Sequence, residues 1–393
     1  MDEFCQKMGE KAAEKPILLR TIKMIADAYG TDPNIILCSL FVPMKRYYLR
    51  VNLTKIRTVD LLFRLRKKGI LAYSCGTLEE AIYVEIQGGE KVTAGEKIAV
   101  AEREAAERVM LGADLYMPGL KRVLNAKKGD EVTIVSEDGI PVAEGILEVS
   151  PGEVNRRSKG IGVRVLRSLY RLPKIRELDE YKLGLITDQS LPSMLLVRML
   201  DPFPRHGVYV DMTASPGGKI GHLYEYTGGL GKYFAFDHTE KKVERLKSEL
   251  RRIGADAVIA LKEDSRFISL RHRDMKSNFT IIDPPCSGLG NRPRLSIDLD
   301  ERNIKNLISL QRQLLREAVR ITSPGGLISY STCTLTYEEN EGQVLWALEN
   351  LPIEVAEPSF PFPQSSLIDL PVARFIPGVH DTIGFFSAIF QRL

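Results

Sequence analysis

Hydrophobic and polar positions change their rhythm twice along this chain. Over residues 1–90, a helix-like stretch, ILLRTIKMIADAYG, precedes YYLRVNLTKIRTVDLLFRLRKKGI, which predicts a strand followed by an amphipathic helix. In that helix Leu61, Leu62 and Leu65 fall at helical spacing, Arg64, Arg66, Lys67 and Lys68 lie alongside, and Gly69 stands where it should stop. A small α/β extension is expected there. From 91 to 170 the apolar runs shorten and are broken by turn signals, GGEKVTAGEK, MPG, KKGDE, SEDGIP and SPGE, which predicts a compact β-rich module. Residues 171–393 alternate between strand-like and helix-like segments: VYVDM, a helix from Lys219, KYFAFD, a helix from Glu240, AVIALKED, FTIIDPP, a helix over 303–322, GGLISYST, a helix over 337–350, and GFFSAIF. That alternation predicts a Rossmann-like α/β domain, a mainly parallel sheet with helices on both faces, whose ligands sit at the carboxyl ends of the strands.

Composition narrows the class without naming a function. The 393 residues are enough for two or three compact units, and 44% hydrophobic with 27% charged residues is ordinary for globular chains. No apolar run approaches the roughly 20 residues of a membrane helix, and MDEFCQKMGEKAAEK lacks the apolar core of a signal peptide. A cytoplasmic protein without membrane association is expected, with a monomer as the working assumption. The five cysteines, at 5, 38, 75, 286 and 333, show no CxxC spacing, so reduced thiols and no metal site are expected. A net charge of +4 says little about partners.

After VYVDM comes a run of small residues, Thr213, Ala214, Ser215, Pro216, Gly217, Gly218 and Lys219, that opens a helix and lets backbone amides approach a ligand. It matches neither the Walker pattern nor GxGxxG. The next strand ends in Asp237, suited to both ribose hydroxyls of a bound nucleoside. Asp264 ends a third strand and suits an adenine amino edge. Any one of these aspartates is equally a helix cap. The ordered set resembles the S-adenosylmethionine site of Rossmann-type methyltransferases.

Two strand ends carry cysteines, Cys286 in IIDPPCSG and Cys333 in ISYSTCT, among small or turn-forming residues where helix N-termini can depress a thiol pKa. Together with DMTASPGGK, FAFDHTEKKVERLK and YSTCTLTYEENE, these segments resemble successive motifs of the Sun-domain RNA cytosine-5 methyltransferases over roughly residues 175–393. RVNLTKIRTVDLLFRLRKKGI is similar to that family's N-terminal extension. AERVMLGADLYMPGLKRV, KKGDEVTIVSEDGIPVAEGI and KGIGVRV resemble a PUA domain, a small RNA-binding β-barrel, here inserted between extension and catalytic domain. With GLGNRPRL after the cysteine, this layout is similar to the branch acting on the tRNA acceptor stem.

The resemblance implies Cys333 as nucleophile and Cys286 as the thiol assisting release, with Lys242 joining Asp237 and Asp264 at the cofactor. The chemistry agrees: cytosine C5 is a poor nucleophile until a thiolate adds at C6. Asp283, across a rigid Pro-Pro step from Cys286, is placed to bond the cytosine N3 and amino edge and to contact the cofactor. Lys219 lies near the same edge, where its charge can steady a thiolate or form a structural salt bridge. Many family members have Cys-Ala-Ala-Pro-Gly-Gly-Lys where this chain has Thr213-Ala214-Ser215-Pro216-Gly217-Gly218-Lys219. The small residues and the Pro-Gly-Gly turn are retained.

For RNA, residues 154–176 hold eight basic residues and no acidic one, with Arg156, Arg157, Lys159, Arg164 and Arg167 as expected phosphate contacts. A solvated strand face is the plain alternative. In the PUA-like part, Gly112, Asp114, Tyr116 and Gly119 match the region that receives a single-stranded RNA end. The expected activity is methylation of cytosine C5 in tRNA near the acceptor 3′ end. Ribosomal RNA as substrate, or a non-catalytic RNA scaffold, are the alternatives.

Overall fold

The computed structural model describes Gly9 and residues 15–154, 159–201 and 206–393; Cys5, Arg156 and Arg157 lie outside the described residues. The extension begins with helices α1 (Pro16–Tyr29) and α2 (Pro33–Phe41), each with proline in its first turn, where a missing N–H costs nothing. Asp32 caps α2 by accepting the Asn34 N–H at 2.8 Å. The chain then forms β1 (Arg46–Val51), α3 (Thr58–Lys67), β2 (Ala72–Ser74), β3 (Ala81–Glu85) and β4 (Gln87–Gly88). As the pattern predicts, α3 buries Leu61 and Leu65, and the chain turns away at Gly69 with φ +77°.

The β-rich module comprises β5 (Ile98–Ala101), α4 (Arg103–Val109), β6 (Leu115–Tyr116), β7 (Leu120–Leu124), β8 (Glu131–Ser136), β9 (Pro141–Leu147) and β10 (Ile161–Ser168). Its six strands run in the order β6-β10-β9-β8-β5-β7, with α4 packed against β6, β8 and β9. Two strands then return to the extension: β11 (Tyr170–Arg171) pairs with β4, and β12 (Ile186–Asp188) pairs antiparallel with β1. The extension's sheet therefore reads β12-β1-β3-β2, completed by a strand that follows the inserted module in sequence.

Short single-turn helices aside, the chain goes on as α5 (Leu191–Arg198), β13 (Val208–Asp211), α6 (Gly218–Tyr226), β14 (Lys232–Asp237), α7 (Glu240–Ile253), β15 (Val258–Lys262), β16 (Ser277–Ile282), α8 (Glu301–Ile321), β17 (Thr322–Thr332), α9 (Glu341–Asn350), β18 (Ile353–Val355), β19 (Ala373–Phe375) and β20 (Phe385–Arg392). They build one sheet in the order β15-β14-β13-β16-β17-β20-β18, with β19 added to β20; β13 to β17 are parallel and β20 runs antiparallel to β17. On one face Ile220, Leu223, Leu246 and Leu250 of α6 and α7 cover Tyr209, Tyr233 and Ile281. On the other, Leu314, Ala318 and Val344 of α8 and α9 cover Ile282, Ile328 and Phe386. This is the expected Rossmann-like architecture. The strand order reverses at β13, whose neighbours are β14 and β16, so the ligand crevice opens beyond the carboxyl ends of β13 and β16.

The helix expected over 337–350 begins only at Glu341, because residues 337–340 form a turn from which Glu339 and Asn340 reach back to the Cys333 loop. The units are fastened to one another. Buried Arg50 of β1 clasps the Glu225 carboxylate with two bonds of 2.9 Å and bonds the Gly218 carbonyl at 2.8 Å, fixing the start of α6. Side chains of α1, α2 and the β-rich module share an apolar cluster with Leu289, Leu295 and Leu335 of the loops that follow β16 and β17.

Candidate active site

Thr213 to Gly217 lie in the loop that links β13 to α6, and Gly218 and Lys219 are the first residues of that helix. The loop is pinned at its start: Asp211 accepts the Thr213 N–H at 3.0 Å, and Ala214 N–H reaches the Phe236 carbonyl at 2.9 Å. Gly217 occupies the helix N-cap with φ +115°, a conformation that favours glycine, and a Cβ there would stand 3.0 Å from Leu246. Gly218 opens the helix with free space beside it. The result is a helix N-terminus facing the crevice, a ready anion or nucleoside cradle.

Asp237 ends β14 almost wholly buried and accepts from Ser215 N–H at 3.3 Å and His238 N–H at 2.8 Å, with Lys242 Nζ 3.6 Å away. Asp264 follows β15 and has two tasks. It caps the short turn Ser265–Phe267 by accepting the Arg266 N–H at 3.1 Å, and it pairs with the Arg266 guanidinium at 2.6 Å, which holds its carboxyl below the usual range. Asp211, which the sequence analysis passed over as part of a strand, is the buried acid at the switch point. Burial pushes its carboxyl up to about 7, against the pull of the Thr213 N–H and the Lys219 charge.

The strand ends of β16 and β17 bring the remaining groups together. Asp283 is held from two sides, by an ion pair with Lys219 and by the Ser331 hydroxyl donating at 3.0 Å; its own N–H donates to Thr213 Oγ1 at 2.8 Å. Cys286 and Cys333, both half-buried, place their sulfurs 3.4 Å apart. Cys286 is pushed well above an ordinary thiol by sharing its proton with Cys333, then by burial and the charges of Cys333, Glu339 and Asp283. Cys333 is drawn below the ordinary value because it accepts from Cys286, helped by Lys219 and Asn291 against burial and Asp283. Two like groups with values driven apart are what a division of roles between them requires.

Beneath the thiols lies a clamp that the motif reading did not single out. Buried Glu339 accepts the Ser287 N–H at 3.0 Å and the Gln311 amide at 3.0 Å, as well as the Ser287 and Thr336 hydroxyls, so one carboxylate ties both cysteine loops together. Asn340 donates to the Thr334 carbonyl at 3.0 Å, and buried Glu341 pairs with Arg374 at 2.6 Å. The run Glu339-Asn340-Glu341 in YEENE was the available signal.

The residues expected to contact RNA are dispersed. Tyr116 is exposed on β6, opposite Ile161 and close in register to exposed Lys159. Arg164 pairs with Glu148, just after β9, at 2.8 Å, and Arg167 bonds Glu144 of β9 and Glu131 of β8, so both charges have acidic partners. Asp114 is buried, accepting the Val165 N–H at 2.9 Å and Lys174 at 2.6 Å. A cleft of about 490 Å³ between extension and β-rich module is lined by Tyr73, Gly112, Leu166, Arg171 and Lys174. Among the described residues no group of three or more His, Cys, Asp or Glu side chains is arranged to hold a metal, and no helix is long and apolar enough to cross a membrane.

Comparison with known proteins is specific. Residues 197–391 match the family model described as 16S rRNA methyltransferase RsmB/F, and residues 97–169 match that of the PUA domain. The chain is 32% identical over 366 residues to a tRNA (cytosine(72)-C(5))-methyltransferase of Pyrococcus horikoshii, covering 92% of this chain and 93% of the relative. It is 32% identical over 296 residues to the tRNA (cytosine(72)-C(5))-methyltransferase NSUN6 of Mus musculus, covering 68% of this chain and 61% of that one. A crystal structure described as NSun6 from Pyrococcus horikoshii with SFG superposes with a TM-score of 0.84 at 31% identity, over 95% of this chain and 97% of the other.

Proposed function

The chain belongs to the RsmB/F (Sun) methyltransferase family and carries a PUA domain, and from that premise we propose that it methylates C5 of a cytosine in tRNA near the 3′ end of the acceptor stem. The observation that carries this reading is the pair of thiols 3.4 Å apart, next to the Lys219–Asp283 pair and beside a helix-opening Gly loop.

The methyl donor is S-adenosylmethionine, and the residues present fit it. Thr213 to Gly218 supply a close-approach loop at the α6 N-terminus, Asp237 and Asp264 stand at or just after the next two strand ends in the order a nucleoside needs, and Lys242 of α7 lies beside Asp237. When bound, it supplies an electrophilic methyl on a sulfonium. Cys333, the more acidic thiol, attacks cytosine C6, forming an Sγ–C6 bond and raising electron density at C5. Asp283, held as a carboxylate by Lys219, accepts from the amino group and from N3–H of a ring protonated at N3, so that addition at C6 leaves the ring neutral, and Lys219 also favours the thiolate. After C5 takes the methyl, its proton passes to solvent water, the C5–H electron pair re-forms the C5=C6 bond, and the Sγ–C6 bond breaks to return the Cys333 thiolate. Cys286, still protonated beside it, assists that release.

The PUA domain supports tRNA over ribosomal RNA, since a module that takes a single-stranded end measures a fixed distance to the target base. Tyr116 and Lys159, both exposed, are the RNA contacts this reading favours. Arg164 and Arg167 contribute only by exchanging their carboxylate partners for phosphates. The enzyme on this reading works in the cytoplasm as a monomer. Incubation with methyl-labelled cofactor and separated tRNA and rRNA tests it: label in tRNA is expected, and label confined to rRNA overturns it.

A further inference from the structure

The loop after Cys286 carries a polar side chain that the mechanism above does not use. Asn291 Nδ2 lies 3.6 Å from Cys333 Sγ. Its placement is determined on all sides. Asn291 N–H bonds the Gly288 carbonyl at 3.2 Å, where Gly288 turns the chain with φ +65°. Gly290 N–H bonds the Cys333 carbonyl at 2.8 Å and its own carbonyl accepts from Gly384, so backbone and side chain of this loop converge on one residue. Beyond it, Arg292 bonds the Val42 and Pro43 carbonyls, Arg294 N–H bonds the Leu40 carbonyl, and Leu295 N–H bonds Glu107 of the PUA domain.

We infer that Asn291 is a thiolate-stabilising residue, an amide donor to Cys333 Sγ that acts beside the Cys286 thiol. A thiolate accepts hydrogen bonds and a thiol donates one. With Cys286 donating to Cys333, a second donor favours the charged sulfur further, and the amide N–H of Asn291 supplies it without adding a proton that titrates. Because the same loop is bonded to α2 of the extension and to α4 of the PUA domain, the donor is positioned by both of those units. This inference rests on Cys333 being the attacking thiol.

The test uses the full-length protein and site-resolved alkylation of Cys333 by iodoacetamide across pH, read by peptide mass spectrometry. In Asn291→Ala the pH midpoint moves upward and alkylation near neutral pH slows about tenfold, the effect of losing one hydrogen bond to a charged group. Asn291→Asp keeps the shape but replaces a donor with a carboxylate oxygen, so the midpoint moves further. Cofactor affinity stays within about twofold, which a merely structural defect would not respect. An unmoved midpoint in both variants overturns the inference, and Asn291→Asp decides alone should the alanine variant fail to fold. The readout involves neither RNA nor methyl transfer. A Cys333→Ala variant with full methylation would instead defeat the assignment of the nucleophile, leaving the alkylation result standing.

Discussion

Cys286 Sγ and Cys333 Sγ lie 3.4 Å apart at the ends of neighbouring parallel strands, and Glu339 accepts hydrogen bonds from both loops that carry them. The separation permits one proton to be shared between two sulfurs, so their roles are unequal before any substrate arrives.

Replacing each thiol separately tests that inequality. Cys333→Ala should abolish methyl transfer with cofactor affinity intact. Cys286→Ala should form the protein–RNA bond but release it slowly, so a covalent adduct accumulates on denaturing gels. Adduct in neither variant would remove the release role from Cys286.

The pH profile should be bell-shaped. Attack needs Cys333 as thiolate, and its value is drawn below that of a free thiol, so the rate rises with pH at a point lower than ordinary cysteine chemistry allows. Release needs Cys286 protonated, and its value is pushed up, so activity declines only at high pH. Single-turnover rates over a pH series check both limbs. Lys219→Met should shift the rising limb upward, since the charge that favours the thiolate is gone.

Asp211 makes stability depend on pH. Its carboxyl titrates at about 7 in the fold but near the ordinary carboxylate value when unfolded, so the folded chain binds more protons and loses stability as pH rises through that window. Asp211→Asn, which keeps the acceptor for Thr213 N–H, should flatten the profile. Relative to wild type it should gain up to about 4 kcal/mol at pH 8 and nothing near pH 4, measured by urea unfolding without cofactor.

Glu339→Ala strips the acceptor from four donors in a buried site, and should cost about 2–4 kcal/mol by denaturant unfolding. Glu339→Gln should cost less but still lower the methylation rate, because the cysteine loops are no longer drawn to one carboxylate.

Much of the fold and site was legible in the sequence for local reasons. The small-residue loop Thr213 to Gly218, the acidic ends of β14 and β15, and the two cysteine motifs each announce themselves within a few residues, and α3 ends where Gly69 says it should. What escaped depends on partners far apart in the chain. The basic run at 154–176 looked like a phosphate track because the acids that neutralise its described members, Glu144 on β9, Glu148 just after it, Glu131 on β8 and Glu90, arrive through strand pairing and folding that no local pattern reveals. β12 joins the extension's sheet across more than a hundred intervening residues, for the same reason. Glu339 and Asn291 carry ordinary polar side chains in turns. Only the approach of two loops makes one a clamp and the other a donor to sulfur.

The most direct measurement of the central claim is the position of the methyl group after reaction of total tRNA with labelled S-adenosylmethionine. Mapped by base-resolved sequencing of 5-methylcytosine, wild-type enzyme should mark a cytosine at the 3′ side of the acceptor stem, and Cys333→Ala should mark none. Label on another base or at another atom, or undiminished label with Cys333→Ala, would contradict the account.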